Sequence, residues 1–112
     1  MSAIKDWDAY SAALRGRGKE FSALHPELVK AFGALSGASA KTQHLDAKTR
    51  ELIALAVTVT TGCDGCMDAH VRKAKAAGAT KEEIAEALGV AVALNAGAAF
   101  TRSLHVLDAV GE

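Results

Sequence analysis

Neither sign of charge is in excess in this 112-residue chain. Thirteen Lys and Arg residues balance thirteen Asp and Glu, so the formal net charge is zero. No basic excess is therefore present to hold nucleic acid or an anionic membrane surface. Long apolar runs are missing too, since no stretch reaches the roughly 18 residues expected of a membrane span. The opening Met1-Ser2-Ala3-Ile4-Lys5-Asp6-Trp7-Asp8 is mixed and acidic, unlike a secretory signal. A cytoplasmic protein with no nucleic-acid or membrane partner is the expectation. Nucleotide-binding and hydrolase signatures are absent as well. There is no phosphate-cradling glycine loop, no Gly-x-Ser-x-Gly and no His-Glu-x-x-His.

Aromatic residues are scarce at 4%, and there is one proline. Alanine is abundant, with 25 residues. Alanine has the best helix propensity and lets helices pack closely. It also buries little area per side chain, at about 25 cal/mol per Å². The length suits a single domain over residues 1–112. So short a chain with so few large apolar groups makes a thin core, and association with copies of itself is expected.

Helical signals dominate, and an all-α bundle of about six helices follows. Asp6 to Arg17 reads as the first, with Trp7, Tyr10 and Leu14 on one face and Gly16 and Gly18 loosening its end. Pro26 suits the first turn of a second helix, which Ser36-Gly37 can close. Asp46 is the expected N-cap of a third helix running to about Val59. The β-branched end of Leu52–Thr60 would also suit a buried strand, but the capped lead-in favours helix. A fourth helix spans about Asp64 to Ala77. Thr80 with Glu83 forms a capping box for a short fifth helix that breaks at Gly89. The sixth segment, Val90 to about Ala109, is apolar nearly all round, which implies burial on every side, against neighbouring subunits or, as the weaker reading, as the central helix of a single bundle.

The chemistry is concentrated in Cys63-Asp64-Gly65-Cys66, the only cysteines. A Cys-x-x-Cys pair at a helix start is the arrangement of thiol–disulfide redox sites. The spacing lets the sulfurs meet, and the helix N-terminus stabilises a thiolate. His70 follows Cys66 by four residues and Cys63 by seven, which places it on the same helical face. An imidazole there can take a thiol proton or pass one to solvent. Zinc is the rival use of these residues. Cys63, Cys66 and His70 give three ligands, and a structural site needs a fourth, from Glu51 or a neighbouring subunit. A c-type haem is excluded because Met67 stands where its histidine would be.

Glu51 opens an otherwise uncharged stretch and shares a stripe with Leu55 and Thr58. It is either at the surface end of its helix, favoured by the helix dipole, or buried, partnered and able to act as a base. Twelve residues separate it from Cys63, about 18 Å along a straight helix. His25 and His44 read as loop residues, His105 lies on the last helix near Arg102 where it could line a subunit contact, and Arg72, Lys73 and Lys75 read as a solvated face.

Taken together, Glu51, Cys63-x-x-Cys66 and His70 resemble the AhpD-like alkylhydroperoxidase core of the carboxymuconolactone decarboxylase family. The flanking text Arg50-Glu51-Leu52-Ile53-Ala54-Leu55-Ala56-Val57, Ala69-His70 and Ala76-Ala77-Gly78-Ala79-Thr80-Lys81-Glu82-Glu83-Ile84 is similar too. The resemblance is strongest from about Leu45 to Leu88. It implies an all-helical AhpD-like fold assembling as trimers or hexamers. It also implies reduction of an organic hydroperoxide through a Cys63–Cys66 disulfide, re-reduced by a dithiol or lipoyl protein. Which cysteine attacks is open, since Cys66 is nearer His70 by spacing; Cys63, as the first and usually more exposed of such a pair, is the one expected to meet the reductant. Glu51 and His70 would be the proton relay, and no cofactor is expected. AhpD proper often carries a histidine just before the second cysteine, where this chain has Gly65. Other readings are a cofactor-free decarboxylase acting on a lactone acid, which needs no cysteine pair, and a redox-sensing or zinc-binding protein.

Overall fold

A computed structural model describes residues 3–112, and among them there are five helices and no strand. Helix α1 is Trp7–Leu24, started by the Asp6 carboxylate, which accepts the Ala9 N–H at 3.1 Å. It does not stop at Arg17. The glycines cost about 0.5–1 kcal/mol each relative to alanine, too little to end a helix whose formers resume at Lys19. An Arg17–Glu20 ion pair at 2.5 Å further bridges the weak stretch. The actual break is steric. Pro26 disfavours helical backbone in the residue before it, and His25 sits at φ −142°, ψ 70°. Pro26 then opens α2, Pro26–Ser39, which passes Ser36-Gly37 by two residues.

Helix α3 is Ala47–Thr61, so the β-branched run is helical. Asp46 caps it by accepting the Thr49 N–H at 2.8 Å. Hydrogen bonds from Thr49, through its side chain first and its backbone second, hold the Asp46 carboxyl below the ordinary carboxylate range. The hydroxyls of Thr58, Thr60 and Thr61 donate back to the Leu55, Ala56 and Val57 carbonyls, which is how polar β-branched residues fit the last turns. Helix α4, Asp64–Ala76, ends before Gly78 at φ 89°. Helix α5, Lys81–Val110, is opened by the capping box of Thr80 and Glu83.

The expected break at Gly89 does not occur. One helix of 30 residues replaces the fifth and sixth segments, giving five helices rather than about six. A single interior glycine costs about 1 kcal/mol relative to alanine, which the good formers on both sides outweigh. The merged helix also alters the reading of apolar length. It is long and apolar enough, by length and composition, to cross a membrane, whereas no such run was expected. Core helices of soluble proteins pass the same test, so this feature alone assigns no location.

Residue contacts divide the chain into two units, one ending at Arg50 and the other covering Glu51–Glu112. In the first, α1 packs on α2, and neither helix has a buried residue. Trp7 and Tyr10 meet edge to face, with the Lys5 ammonium 4.2 Å from the Tyr10 ring centre. In the second, the apolar core is Leu55, Ala74 and Ala91, one residue from each of its three helices. Two of the three are alanines, the thin core that the composition leads one to expect.

Candidate functional site

The site lies entirely within the second unit. The buried residues of α3 are Glu51, Leu55 and Thr58, the stripe seen in the sequence at i, i+4, i+7. Glu51 is therefore not a surface residue at the helix end. It is 5% exposed, and its Oε2 lies 2.5 Å from His70 Nδ1 on α4. An ionised carboxylate so enclosed requires a hydrogen-bonding partner, and the imidazole provides one. With Nδ1 engaged by Glu51, Nε2 remains as the ring's second proton-exchanging atom. His70 keeps 30% of its side-chain surface, so the pair has one end in the core and one towards solvent.

Cys63 and Cys66 are joined as a disulfide, with Cα atoms 5.2 Å apart. The local backbone explains why they meet. Gly62 follows α3 at φ 72°, a left-handed conformation that glycine adopts without penalty, and reverses the chain. The Thr58 carbonyl accepts the Gly62 N–H at 2.8 Å and the Cys63 N–H at 3.2 Å. The Cys63 carbonyl accepts the Met67 N–H at 3.0 Å, and its sulfur accepts the Cys66 N–H at 3.2 Å as the N-cap of α4. Cys63 is thus tied to the end of one helix and the start of the next. Both cysteines are half-buried. On reduction, a sulfur in the Cys63 position faces helix N–H groups that favour its thiolate.

The four residues singled out in the sequence are therefore assembled in two joined pairs. The disulfide sits at the start of α4, and the Glu51–His70 pair lies one helical turn beyond Cys66. The remaining candidates lie as follows. His25 is the joint between α1 and α2, His44 lies in the loop before α3, and His105 is exposed on α5. Arg72 pairs with Asp68 at 3.3 Å, and Lys73 and Lys75 lie in the last turn of α4, where cations suit the helix dipole. Among the described residues, no three His, Cys, Asp or Glu side chains are grouped to hold a metal ion. Sequence reasoning did not single out Thr58 and Gly62 as anchors of Cys63. The available signal was Thr-x-x-Thr-Gly-Cys, a helix end placed directly before the first cysteine.

Known proteins share this arrangement of chain. Residues 26–109 match the carboxymuconolactone decarboxylase family. An uncharacterized protein of Haemophilus influenzae is 48% identical over 93% of this chain and 92% of its own. An uncharacterized protein of the Paracoccus denitrificans cox locus is 43% identical over 71% of this chain and 75% of its own. Two crystal structures are similar. A protein from Methanobacterium thermoautotrophicum has TM-score 0.71 and 31% identity, covering 77% of this chain and 97% of that one. An apo carboxymuconolactone decarboxylase family protein from Legionella pneumophila has TM-score 0.74 and 33% identity, covering 92% of each chain. With most of its length matched and its helices superposing on a solved member, the chain belongs to the carboxymuconolactone decarboxylase family.

Proposed function

We propose that this protein is an AhpD-like peroxidase that reduces organic hydroperoxides through the Cys63–Cys66 pair and is recharged by a dithiol, free or carried on a lipoyl protein. The observation that carries the reading is the Glu51–His70 pair, held at 2.5 Å one helical turn from a cysteine already bonded to its neighbour. A redox disulfide needs a local group to take and return protons, and a half-exposed imidazole backed by an enclosed carboxylate supplies it.

In the reduced enzyme, His70 accepts a thiol proton, and Glu51 stabilises the imidazolium that forms. The thiolate attacks the distal peroxide oxygen. The O–O bond breaks, the cysteine becomes a sulfenic acid, and the alkoxide leaves as an alcohol after taking the proton. The second cysteine displaces the sulfenic hydroxyl as water and closes the disulfide. An external dithiol reopens it by two thiol–disulfide exchanges, leaving as its own cyclic disulfide. In sum, one hydroperoxide and one dithiol give one alcohol, one water and one oxidised dithiol. Cys63, the residue at the turn, is the sulfur the incoming dithiol meets.

The test is consumption of tert-butyl hydroperoxide by reduced protein supplied with dihydrolipoamide. Turnover beyond one equivalent per cysteine pair, lost in both Cys63→Ser and Cys66→Ser, is the expected result. A single equivalent with disulfide formation would mark a redox sensor instead. The family's name points to a second reaction, decarboxylation of a lactone acid, for which the disulfide has no use. Turnover of carboxymuconolactone that survives both serine substitutions would establish that reading and remove ours.

A further inference from the structure

A groove of about 410 Å³ runs between α3 and α5, within the size range of sites that hold small molecules. Ile53 and Val57 form one wall and Val90 and Leu94 the other, all of them exposed. No charged side chain lines it. Its polar groups, Thr60, Thr61 and Asn95, gather at one end, where α3 runs into the turn that carries the disulfide. Thr61 precedes Cys63 by two residues, which keeps their Cα atoms within about 7 Å. From that end the apolar wall runs back to Ile53, about 10 Å along the helix.

The hydrogen bonds at the polar end leave one atom unspent. Thr60 gives its hydroxyl proton to the Ala56 carbonyl at 3.2 Å, so towards Asn95 it can only accept. The Asn95 amide nitrogen donates to Thr60 Oγ1 at 2.9 Å and to the Ala91 carbonyl at 2.7 Å. Both partners are acceptors, so the amide cannot be turned over, and both of its protons are used. Thr61 gives its own proton back to the Val57 carbonyl at 3.2 Å. Asn95 Oδ1 receives no hydrogen bond from the described residues. The groove therefore offers a ligand an acceptor and no side-chain donor. That suits an uncharged molecule, apolar along its length, with one O–H at its end. A carboxylate would bring a charge with no cation to meet it and no proton to give.

We infer that this groove is a substrate site, which holds the straight alkyl chain of a primary hydroperoxide while the terminal O–O–H donates to Asn95 Oδ1. The inference rests on the peroxidase reading for its reaction and adds which hydroperoxides are taken. The donated hydrogen is on the distal oxygen, the atom the thiolate attacks, so Asn95 positions the reacting atom beside the turn that carries Cys63. The alcohol product keeps the same chain and a donor O–H. An extended chain advances about 1.3 Å per bond, as Cα atoms 3.8 Å apart over three bonds show, so about eight bonds fill the wall. An octyl group and its C–O bond have that length. A methylene taken wholly out of water tightens binding about fourfold, and one half covered in an open groove about twofold.

The experiment titrates the oxidised full chain with 1-butanol, 1-hexanol and 1-octanol, followed by the methyl NMR signals of Val57, Val90 and Leu94. Steady-state kinetics with the matching hydroperoxides and dihydrolipoamide come second. The wild type is expected to bind 1-octanol about 16-fold more tightly than 1-butanol, from four methylenes at about twofold each. Octanoate is expected to bind more weakly than 1-octanol, and KM is expected to fall from butyl to octyl hydroperoxide. Asn95→Leu, of similar size but without the acceptor, is expected to loosen every alcohol about 2- to 12-fold while the gain per methylene persists. Loss of that gain in Asn95→Leu would reduce Asn95 to a spacer between helices and overturn its role. Leu94→Asp, at an exposed position, is expected to abolish the dependence on chain length. Groove methyls unmoved by any alcohol, or equal affinity for all three, would overturn the inference. Unmoved methyls in a protein that sediments as a multiple of the chain would give the groove to a second copy instead. Because binding is read on the disulfide form, the two readings fail separately. Turnover of tert-butyl hydroperoxide without alcohol binding overturns this inference alone. Alcohol binding on the expected pattern without turnover supports the groove and removes the peroxidase reading.

Discussion

Separating the charge of Glu51 from its hydrogen bond gives the sharpest test of the site. Glu51→Gln keeps the shape and the hydrogen-bonding capacity beside His70, but removes the carboxylate that would stabilise an imidazolium. His70→Ala removes the 2.5 Å contact itself. A hydrogen bond to a charged group contributes about 1.5–3 kcal/mol. Unfolding entropy of about 2.1 cal/mol/K per residue converts that loss into a fall of about 6–13 °C in the thermal midpoint of a 112-residue chain. Glu51→Gln is expected to melt much closer to the wild type. In the tert-butyl hydroperoxide assay both variants are expected to lose about 10²–10⁴ in turnover, the usual contribution of a positioned acid–base group. Because the pair acts as one device, the double variant should be about as slow as His70→Ala alone, rather than slower by the product of both losses. Near-wild-type turnover in Glu51→Gln, with His70→Ala inactive, would reduce Glu51 to a structural residue and refute the relay. Multiplicative losses would refute the coupling.

Gly62→Ala places a Cβ at φ 72°, which costs about 1–2 kcal/mol. It should lower the thermal midpoint and, by shifting Cys63, change the midpoint of a glutathione redox titration. Thr80→Ala removes the capping box of α5 and should cost about 1 kcal/mol in a urea melt, with the slope unchanged. Asp46→Asn tests the lowered carboxyl. A depressed folded value stabilises the protein above the ordinary aspartate value of about 3.9 and is lost as the pH falls through the lower, folded one. The wild type should therefore melt above Asp46→Asn at neutral pH, and the two curves should converge in acid. A constant difference at all pH values would mean that the Thr49 hydrogen bonds do not act through the charged carboxylate.

What could be read from the residues was whatever local chemistry decides. The Cys63–Cys66 spacing, the Thr80 capping box and the Pro26 start each depend on a few neighbouring residues, and each stands in the structure as its own physics requires. The all-helical class followed from alanine content and caps in the same way. Errors arose where a weak preference was treated as a barrier. Gly16, Gly18 and Gly89 each cost a helix about 1 kcal/mol, and a run of good formers on both sides outweighs that. Pro26 ended a helix because its obstruction is steric, a different order of effect. The pairing of Glu51 with His70 spans 19 residues, and no local pattern encodes it. The stripe of Glu51, Leu55 and Thr58 showed which way Glu51 faces, and the family resemblance supplied its partner.

The turn at Gly62 is what connects these two levels. Along a straight helix, Glu51 and Cys63 would stand about 18 Å apart, too far for one to serve the other. The left-handed Gly62 and the Thr58 carbonyl send the chain back on itself, so that α4 lies along α3 and its His70 reaches the buried carboxylate. The same turn presents Cys63 as the N-cap of α4, where its sulfur accepts the Cys66 N–H. One reversal therefore sets both pairs, and α4 fixes their spacing at a single turn, about 6 Å of rise from Cys66 to His70. In the proposed mechanism, one water bridging that span would carry the proton between sulfur and imidazole, while Glu51 stays enclosed. Residues far apart in sequence come together because the disulfide is placed at the joint between α3 and α4 rather than within either helix, and on the proposed reading this makes them one working unit.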